Sequence, residues 1–427
     1  MIKGLIIAGM LTNSGKTTFT LGLLQYLKSE NKKVCSFKIG PDFIDPIYHE
    51  KILDKKSKSL DSYFLNSKKL KEHFYKESKN SDYIVIEGVM GLLDGLNDGR
   101  GSTDSIGSIL DIPILLLVES MPSIKTMAAM IDGVIKHSKS KIVGIIITKS
   151  KSEIVFNMQK EEIEKITNIK YIKRFEYDNS LKIPSKHLGL DTDFFNIKEI
   201  ALKSYEKIKS INIESIFKEL NQVYDSVNVI KGNKSIAISR DEAFLFYYPE
   251  NIEWLKNNGF KIKYFSPLND KKLPEADVYY FTGGYPEVYA KKLEKNKSML
   301  IDVYEKCASG KKIIAECGGF MYLSKEIEGH KMVGFINGKT FMSNKIQGRF
   351  GYEKIKILNE CFFKKNTVIK GHEFHYSYME LNENENALEV IKKSNNKIYK
   401  VGIIKENVLA SYTHFYFSSI LEGGINI

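Results

Sequence analysis

Short apolar runs punctuate the first half of the chain. Gly4 to Ala8, Lys33 to Phe37, Asp82 to Ile86, Ile114 to Val118 and Lys141 to Thr148 all have strand length and composition. Ile114 to Val118 carries no polar residue and is bounded by Pro113 and Glu119, the form of a central parallel strand. Between these runs the apolar spacing turns helical, as in Leu21, Leu24 and Leu27 over Phe19 to Lys28. Strands alternating with helices predict a doubly wound parallel sheet, an α/β fold. Ile200 to Val229, rich in lysine and glutamate, reads as a helical stretch closing a first domain over 1–230. Lys231 to Lys234 reads as a linker, and a second α/β domain over 235–427 follows. Its strands are Ser235 to Ser239, Lys261 to Phe265, Val278 to Phe281 and Lys312 to Ala315, with a helix around Trp254.

Composition narrows the function classes. A chain of 427 residues is long for one domain, and 43% hydrophobic content supplies real cores. The net charge of +12 is spread along the chain, and clusters such as Lys55-Lys56-Ser57-Lys58 are short. No zinc-finger, RNA-recognition or basic-helix pattern accompanies it, so no nucleic-acid partner is expected; the surplus suits small anions. Cys35, Cys307, Cys317 and Cys361 form no CxxC pair, which argues against a disulfide framework or zinc site. The apolar N-terminus runs straight into a glycine-containing loop and does not read as a signal peptide. No apolar run approaches the roughly 20 residues of a membrane span. The expectation is a soluble, cytoplasmic protein without a membrane partner; the residues leave monomer or homodimer open.

The loop Gly9 to Thr18, GMLTNSGKTT, joins the first strand to the first helix. Strand, loop, GK[ST] and helix make the setting of a phosphate-binding loop, where backbone N–H groups and the helix dipole meet an anion. Gly15, Lys16, Thr17 and Thr18 are the candidate ATP-phosphate ligands, with the Thr17 hydroxyl on Mg²⁺. Five residues separate Gly9 from Gly15, one more than in the commonest version, and Met10 stands where that version has glycine. Leu11 occupies the place where partition and arsenite-pump ATPases carry a second lysine.

Two further segments follow strands, where α/β sheets put their ligands. Lys38-Ile39-Gly40-Pro41-Asp42-Phe43-Ile44-Asp45-Pro46 is predicted to be a loop because of its two prolines and its glycine. From chemistry alone, Asp42 and Asp45 are as readily turn formers as ligands. Glu87, at a strand end before Gly88-Val89-Met90-Gly91-Leu92-Leu93-Asp94-Gly95, is a candidate Mg²⁺ ligand.

FKIGPDFIDP, IEGVMGLLDG, IPSKHLGL (Ile183 to Leu190) and the loop spacing resemble the synthetase half of cobyrinate a,c-diamide synthases, relatives of dethiobiotin synthetase. The resemblance implies that Asp42 and Glu87 complete the metal and phosphate site. It also implies that Phe43, Ile44, Asp45 and Asp94 face a tetrapyrrole. Two departures stand out: TNSG where members read SGxG, and Thr148 where related folds often place an asparagine for adenine.

In the second domain, Glu316-Cys317-Gly318-Gly319 turns from a strand into a helix. A cysteine on such a turn is held clear of the sheet, and a helix N-terminus lowers a thiol pKa. Cys317 is the candidate nucleophile; the other three cysteines fit the ordinary buried fate. A nucleophilic thiol needs a base, and His414 in Ser411-Tyr412-Thr413-His414 is the candidate. His372 and His375 are spaced HExH, one residue short of the zinc-protease pattern. Gly283 and Gly284, after a strand, are candidate oxyanion donors. The order GGYPE, ECGG, THFYF resembles a class I glutamine amidotransferase of the cobyrinic and cobyric acid synthase type, and RDEAFLFYYPEN and GHEFHYS match the cobyrinate a,c-diamide synthases more narrowly. Tyr416 stands where common class I enzymes place the glutamate of their triad.

These resemblances imply an ATP- and glutamine-dependent ligase that amidates the a and c acetates of cobyrinic acid through an acyl phosphate. Hydrogenobyrinate and nickel sirohydrochlorin are alternative ring substrates. DFIDP and GLLDG argue against a cobyric acid synthase. Cys317 and Leu11 argue against a DNA-partition ATPase.

Overall fold

The apolar runs of the first half form one sheet. The computed structural model describes residues 2–183, 196–220 and 232–426, which divide into two compact units, 2–220 and 232–426. In the first unit the strands are β1 (Ile2–Gly9), β2 (Val34–Ile39), β3 (Lys58–Leu60), β4 (Tyr83–Glu87), β5 (Ile114–Glu119), β6 (Ile142–Ser150), β7 (Ile172–Glu176) and β8 (Lys218–Leu220). Seven of them run parallel in the order β3-β2-β4-β1-β5-β6-β7, and β8 adds antiparallel to β1. Alternate residues point to opposite faces, so Leu5, Ile7, Val85, Leu115, Leu117 and Ile146 pack together on one side against Leu21, Leu24 and Leu27. The neighbours Ile6, Ile84, Ile86, Leu116 and Ile145 are buried as well, as a sheet covered on both faces requires. The C-terminal ends of β1, β2 and β4 carry the phosphate loop, the Asp42–Pro46 segment and Glu87.

Two local expectations are corrected. The helix Ile44–Leu53 begins inside the Pro-bounded segment expected to be a loop. Pro46 falls in its first turn, where a missing N–H costs no helical hydrogen bond. The Asp42 carboxylate accepts the N–H groups of Ile44 (2.8 Å) and Asp45 (3.1 Å). The long helix expected over 200–229 is in fact the helix Ile197–Ile208, a 3-10 turn Ile213–Ile216 and β8; 221–229 lies outside the described residues. Asn212, at φ 47°, turns the chain between them. Glu214 then fixes the turn by accepting from Tyr26 (2.9 Å) and from the Tyr83 hydroxyl. Tertiary pairing to β1 overrides the local helix preference. Of IPSKHLGL only Ile183 lies within the described residues, and of the linker, Gly232 to Lys234.

The second unit opens with β9 (Ser235–Ser239), β10 (Lys261–Phe265), β11 (Val278–Phe281) and β12 (Lys312–Glu316). After them come β13 (Glu326–Ile327), β14 (His330–Lys331), β15 (Gly338–Ile357), β16 (Val368–Leu381), β17 (Leu388–Lys392), β18 (Ile398–Val401), β19 (Ile403–Lys405), β20 (Val408–Ser411) and β21 (His414–Tyr416). One sheet has the order β10-β9-β11-β12-β20-β19, parallel except at β19. Tyr279, Phe281, Ile313 and Ala315 enter the core on one face, and Val278, Tyr280 and Ile314 enter the core on the other. A second sheet is built on the long β15–β16 pair, with β21 alongside β16. Because β20 belongs to the first sheet and β21 to the second, Tyr412 and Thr413 carry the chain from one to the other. His414 is the first residue of β21, at that crossing. No helix among the described residues is long and apolar enough to cross a membrane.

Two candidate active sites

In the first unit, Gly15 takes φ +85° just before the helix Lys16–Ser29, a conformation that glycine adopts without strain. The turn is tied by Ser14, whose hydroxyl donates to Leu11 O at 2.6 Å. Lys16 reaches across to donate to Met90 O (2.6 Å), which brings the phosphate loop and the segment after β4 together. Thr17 Oγ1 donates to Glu87 Oε1 at 2.8 Å and lies 3.5 Å from Asp45 Oδ2. The Thr18 hydroxyl instead donates to Leu181 O (3.3 Å), which leaves its backbone N–H as the group to offer a phosphate. Thr148, expected near adenine, is buried under the loop and donates to Ser14 O at 3.0 Å. It braces the phosphate loop.

The centre of this site is Lys38, which sequence reasoning missed as a site residue. Its buried ammonium lies 2.7 Å from Asp45, 3.1 Å from Glu87 and 3.9 Å from Asp42, and donates to Gly88 O (2.9 Å). His49, also missed, meets the other Glu87 oxygen at 2.8 Å and Ser57 Oγ at 3.1 Å. Burial and the Asp45 charge push the Glu87 carboxyl up. Lys38 and the His49 hydrogen bond outweigh them and hold it below the usual range, so it stays ionised. Asp45, expected to face a ring, is 1% exposed and closes on Lys38. Phe43 and Ile44, at the start of their helix, are only half-buried. Asp94 is exposed and accepts from Gly91 N (3.0 Å), shaping the turn below Met90.

These donors fit Mg²⁺. Three carboxylates, all hard oxygen donors, converge on the buried Lys38 ammonium and leave excess negative charge, and the Thr17 hydroxyl joins them at Glu87. Among the described residues no group of three or more His, Cys, Asp or Glu side chains is arranged to hold a metal ion by itself, so a cation here would need further ligands. An open set of this kind leaves coordination positions for phosphate and water, the habit of Mg²⁺.

In the second unit, Cys317 has φ 47° and ψ −104°, an outlier at the turn from β12 into the helix Gly318–Leu323. Such a backbone costs about 1–3 kcal/mol and persists where the surroundings fix it. Here Cys317 N donates to Ser411 O (2.8 Å), and a Cβ on Gly319 would meet Phe281 O at 2.4 Å. The thiol departs from expectation. Burial, followed by the Glu287 charge, pushes it up, and the Gly318 N–H lowers it only in part. The helix has six residues, too short for its dipole to prevail. Glu287, half-buried after Gly283-Gly284-Tyr285-Pro286, is itself pushed up to about 7 by burial. Glu287→Gln is expected to speed alkylation of Cys317 at neutral pH, measured with iodoacetamide, because a charge opposing the thiolate is removed.

The His414 ring packs on Gly283, where a Cβ would come within 2.4 Å of Cε1. Its Nδ1 lies 3.4 Å from Glu316 Oε2, both side chains being buried. On its other side the His372 ring stacks at 4.9 Å and 13°. Burial, and then the neighbouring His414, lower His372 well below the ordinary histidine range, so it packs as a neutral ring. The HExH spacing lies on β16, where strand geometry turns its two histidines apart. His372 meets Tyr248 and His414; His375 meets Glu373 (2.9 Å), Ser377 O and the Tyr412 ring. Of the two expected oxyanion glycines, Gly283 is corrected: its N–H donates to Phe246 O at 3.0 Å in a two-residue bridge. Gly284 packs so tightly that a Cβ would lie 2.0 Å from Ala243 O, and its N–H faces Gly318.

Comparison with known proteins agrees in both halves. A family model described as a CobQ/CobB/MinD/ParA nucleotide binding domain matches residues 5–190, and one described as a CobB/CobQ-like glutamine amidotransferase domain matches 235–420. The cobyrinate a,c-diamide synthase of Clostridium acetobutylicum is 38% identical over 437 residues, covering 99% of this chain and 98% of that protein. Those of Caldanaerobacter subterraneus subsp. tengcongensis (37%) and Methanocaldococcus jannaschii (36%) match over 99% and 97% of this chain and 97% and 96% of their own.

The chain belongs to the cobyrinate a,c-diamide synthase family. It is a carbon–nitrogen ligase with glutamine as amido donor, and its first domain is a nucleotide-binding one. In this member of the cobyrinate a,c-diamide synthase family, Lys38, His49, Glu287 and Glu316 are the site residues that motif reading passed over. Lys38 and Glu316 sit inside quoted motifs, FKIGPDFIDP and ECGG, and that position was the one signal the sequence offered.

Proposed function

We propose that this enzyme amidates the a and c acetate carboxylates of cobyrinic acid, with MgATP as activator and glutamine as nitrogen source. The observation that carries the reading is the near full-length similarity to proteins of that name, joined to a buried cysteine on the turn from β12 into its helix and a buried histidine at the start of β21 in the second unit. The first domain, 1–230, binds ATP on the backbone N–H groups of Gly15 to Thr18, with Lys16 on the terminal phosphates. Mg²⁺ held by Thr17, Asp42 and Glu87 would supply charge neutralisation there. Lys38 holds Asp45 and Glu87 in place beside that site, and His49 keeps Glu87 oriented. A carboxylate oxygen attacks the γ-phosphorus and ADP leaves, giving an acyl phosphate. Phe43, Ile44 and Asp94, at the rim of this cluster, line the approach of the ring.

The second domain, 235–427, supplies ammonia. Cys317 gives its proton to His414 and attacks the glutamine carboxamide carbon. The oxyanion is met by the N–H groups of Gly284 and Gly318. His414 returns the proton to the departing nitrogen, ammonia leaves, and water then releases glutamate from the thioester. Ammonia attacks the acyl phosphate and inorganic phosphate departs.

The test uses cobyrinic acid labelled with ¹⁸O in its carboxylates. One labelled oxygen should appear in phosphate for each amide formed; amide formation with unlabelled phosphate would rule out the acyl phosphate. Glu87→Gln should raise the Mg²⁺ concentration needed for half-maximal rate and lower turnover, with the fold intact by circular dichroism. An unchanged Mg²⁺ titration would move the metal role to Asp42 and Asp45.

A further inference from the structure

The glutaminase lacks a carboxylate in the usual place, two residues after its histidine. Tyr416 stands there, buried, with its ring edge-on to Tyr248 at 5.0 Å. A histidine base without an acidic partner would be free to take the wrong tautomer, and its charged form would go uncompensated in a buried site. The fold supplies an acid from another strand. β12 and β20 run parallel, pairing Glu316 with Ser411, and three residues after Ser411 the chain reaches His414. Glu316 therefore comes back to the imidazole although it is distant in sequence.

Its two oxygens are divided between the backbone and the ring of the same segment. Oε1 accepts Phe415 N at 3.2 Å, and Oε2 lies 3.4 Å from His414 Nδ1. That segment is itself fixed: Asn251 donates to Phe415 O and accepts from Phe417 N, each at 2.8 Å. Glu316 is 1% exposed, so water does not screen it. The buried Tyr280 phenol beside it is pushed well up, by burial and then by the Glu316 charge, and stays protonated. Glu316 from β12 and the neutral His372 from β16 both meet His414. Glu316 is the one held against Nδ1. The 3.4 Å separation is that of an ion-pair contact and not yet of a formed hydrogen bond, and catalytic hydrogen bonds are often long until substrate is bound.

We infer that Glu316 is the positioning carboxylate of the glutaminase: it accepts the Nδ1 proton of His414, leaves Nε2 to receive the Cys317 proton, and stabilises the imidazolium that forms. Cys317 and His414 thereby work as a triad with an acid that precedes the nucleophile instead of following the base. This rests on the glutaminase reading given above, and the controls separate the two. In Cys317→Ser, persistence of glutamine-dependent amidation would defeat that underlying reading whatever Glu316 does.

The experiment compares full-length Glu316→Gln, Glu316→Asp and the unmodified chain, with glutamine hydrolysis followed as glutamate release across pH. Ammonium chloride as nitrogen source bypasses the glutaminase and reports whether each variant is folded. Replacing a triad carboxylate by its amide costs roughly 10⁴-fold in the serine protease case. For Glu316→Gln we expect a loss of about 10²- to 10⁴-fold in kcat, with KM for glutamine changed only a few-fold. Removing the negative charge destabilises the imidazolium, so the acidic limb of the kcat/KM profile should move to lower pH. Glu316→Asp should recover part of the rate. A Glu316→Gln protein that supports ammonia-dependent amidation and hydrolyses glutamine within a few-fold of normal overturns the inference. So does a loss of rate with an unmoved acidic limb and no advantage for Glu316→Asp, the mark of a merely structural residue. If Glu316→Gln does not fold, Glu316→Asp decides by the same limb, since a longer gap to Nδ1 must shift it in the same direction.

Discussion

Lys16→Ala is expected to lose amidation with glutamine and with ammonium chloride alike, by about 10²-fold or more, the typical effect of removing one group that stabilises developing charge. Lys16 is 8% exposed, and its side chain spans from the phosphate loop to Met90 O on the segment after β4. In the proposed ATP site it is the loop's point charge for the terminal phosphates, and Lys38 is tied to Asp45 and Glu87. No other nitrogen source repairs that defect, because activation of the carboxylate precedes the arrival of ammonia. Glutamine hydrolysis alone should survive in this variant, since the thiol chemistry lies in the other unit. The measurement is amide formation by mass spectrometry with each nitrogen source, beside glutamate release. Near-normal amidation would remove Lys16 from the ATP site.

The second large effect is at Cys317. In Cys317→Ser, glutamine-dependent amidation should fall below detection, because a hydroxyl is a far weaker nucleophile than the thiol and relies wholly on its base. Ammonium chloride should still support amidation, increasingly so as pH rises and more free ammonia is present. His414→Ala should be nearly as damaging with glutamine. Burial and Glu287 push the Cys317 thiol up, and the six-residue helix cannot maintain a thiolate by itself, so the proton has to be taken during attack. Substantial glutamine-dependent activity in His414→Ala would mean that the thiolate preexists. Failure of a folded Cys317→Ser protein with both nitrogen sources would mean that the two activities are not separable.

Most of the two mainly parallel sheets was legible because buried parallel strands are short, apolar and bounded by turn residues, whereas the strands of the sheet built on β15 and β16 were not read. Ser235–Ser239, Lys261–Phe265 and Val278–Phe281 have the expected ends, and β1, β2, β4, β5 and β6 differ from expectation only at their ends. The misreadings have identifiable causes. Asp42–Pro46 looked like a loop because proline is a breaker in mid-helix, but in a first turn it is not. The 200–229 stretch has helical composition, yet β8 gains more from pairing with β1 than from extending the helix. The HExH spacing carries its meaning only on a helix; β16 turns the two histidines to different partners. A candidate could be named from sequence where a motif singles out one residue, as at Lys16, Glu87 and Cys317. Site membership was hidden where the partner comes from a distant element: His49, on the helix Ile44–Leu53, lies 38 residues from Glu87, and Glu316 lies 98 residues before His414 in sequence (414 less 316). No local pattern encodes such pairs.

The central claim is that one chain joins a phosphoryl-transfer site to a glutaminase and spends both on tetrapyrrole carboxylates. Its most direct test is product analysis with purified full-length protein, cobyrinic acid, MgATP and glutamine. The account predicts cobyrinate a,c-diamide, with one ADP, one phosphate and one glutamate released for each amide. Consumption of ATP and glutamine without amidation of cobyrinic acid, or amidation confined to hydrogenobyrinate or nickel sirohydrochlorin, would contradict it.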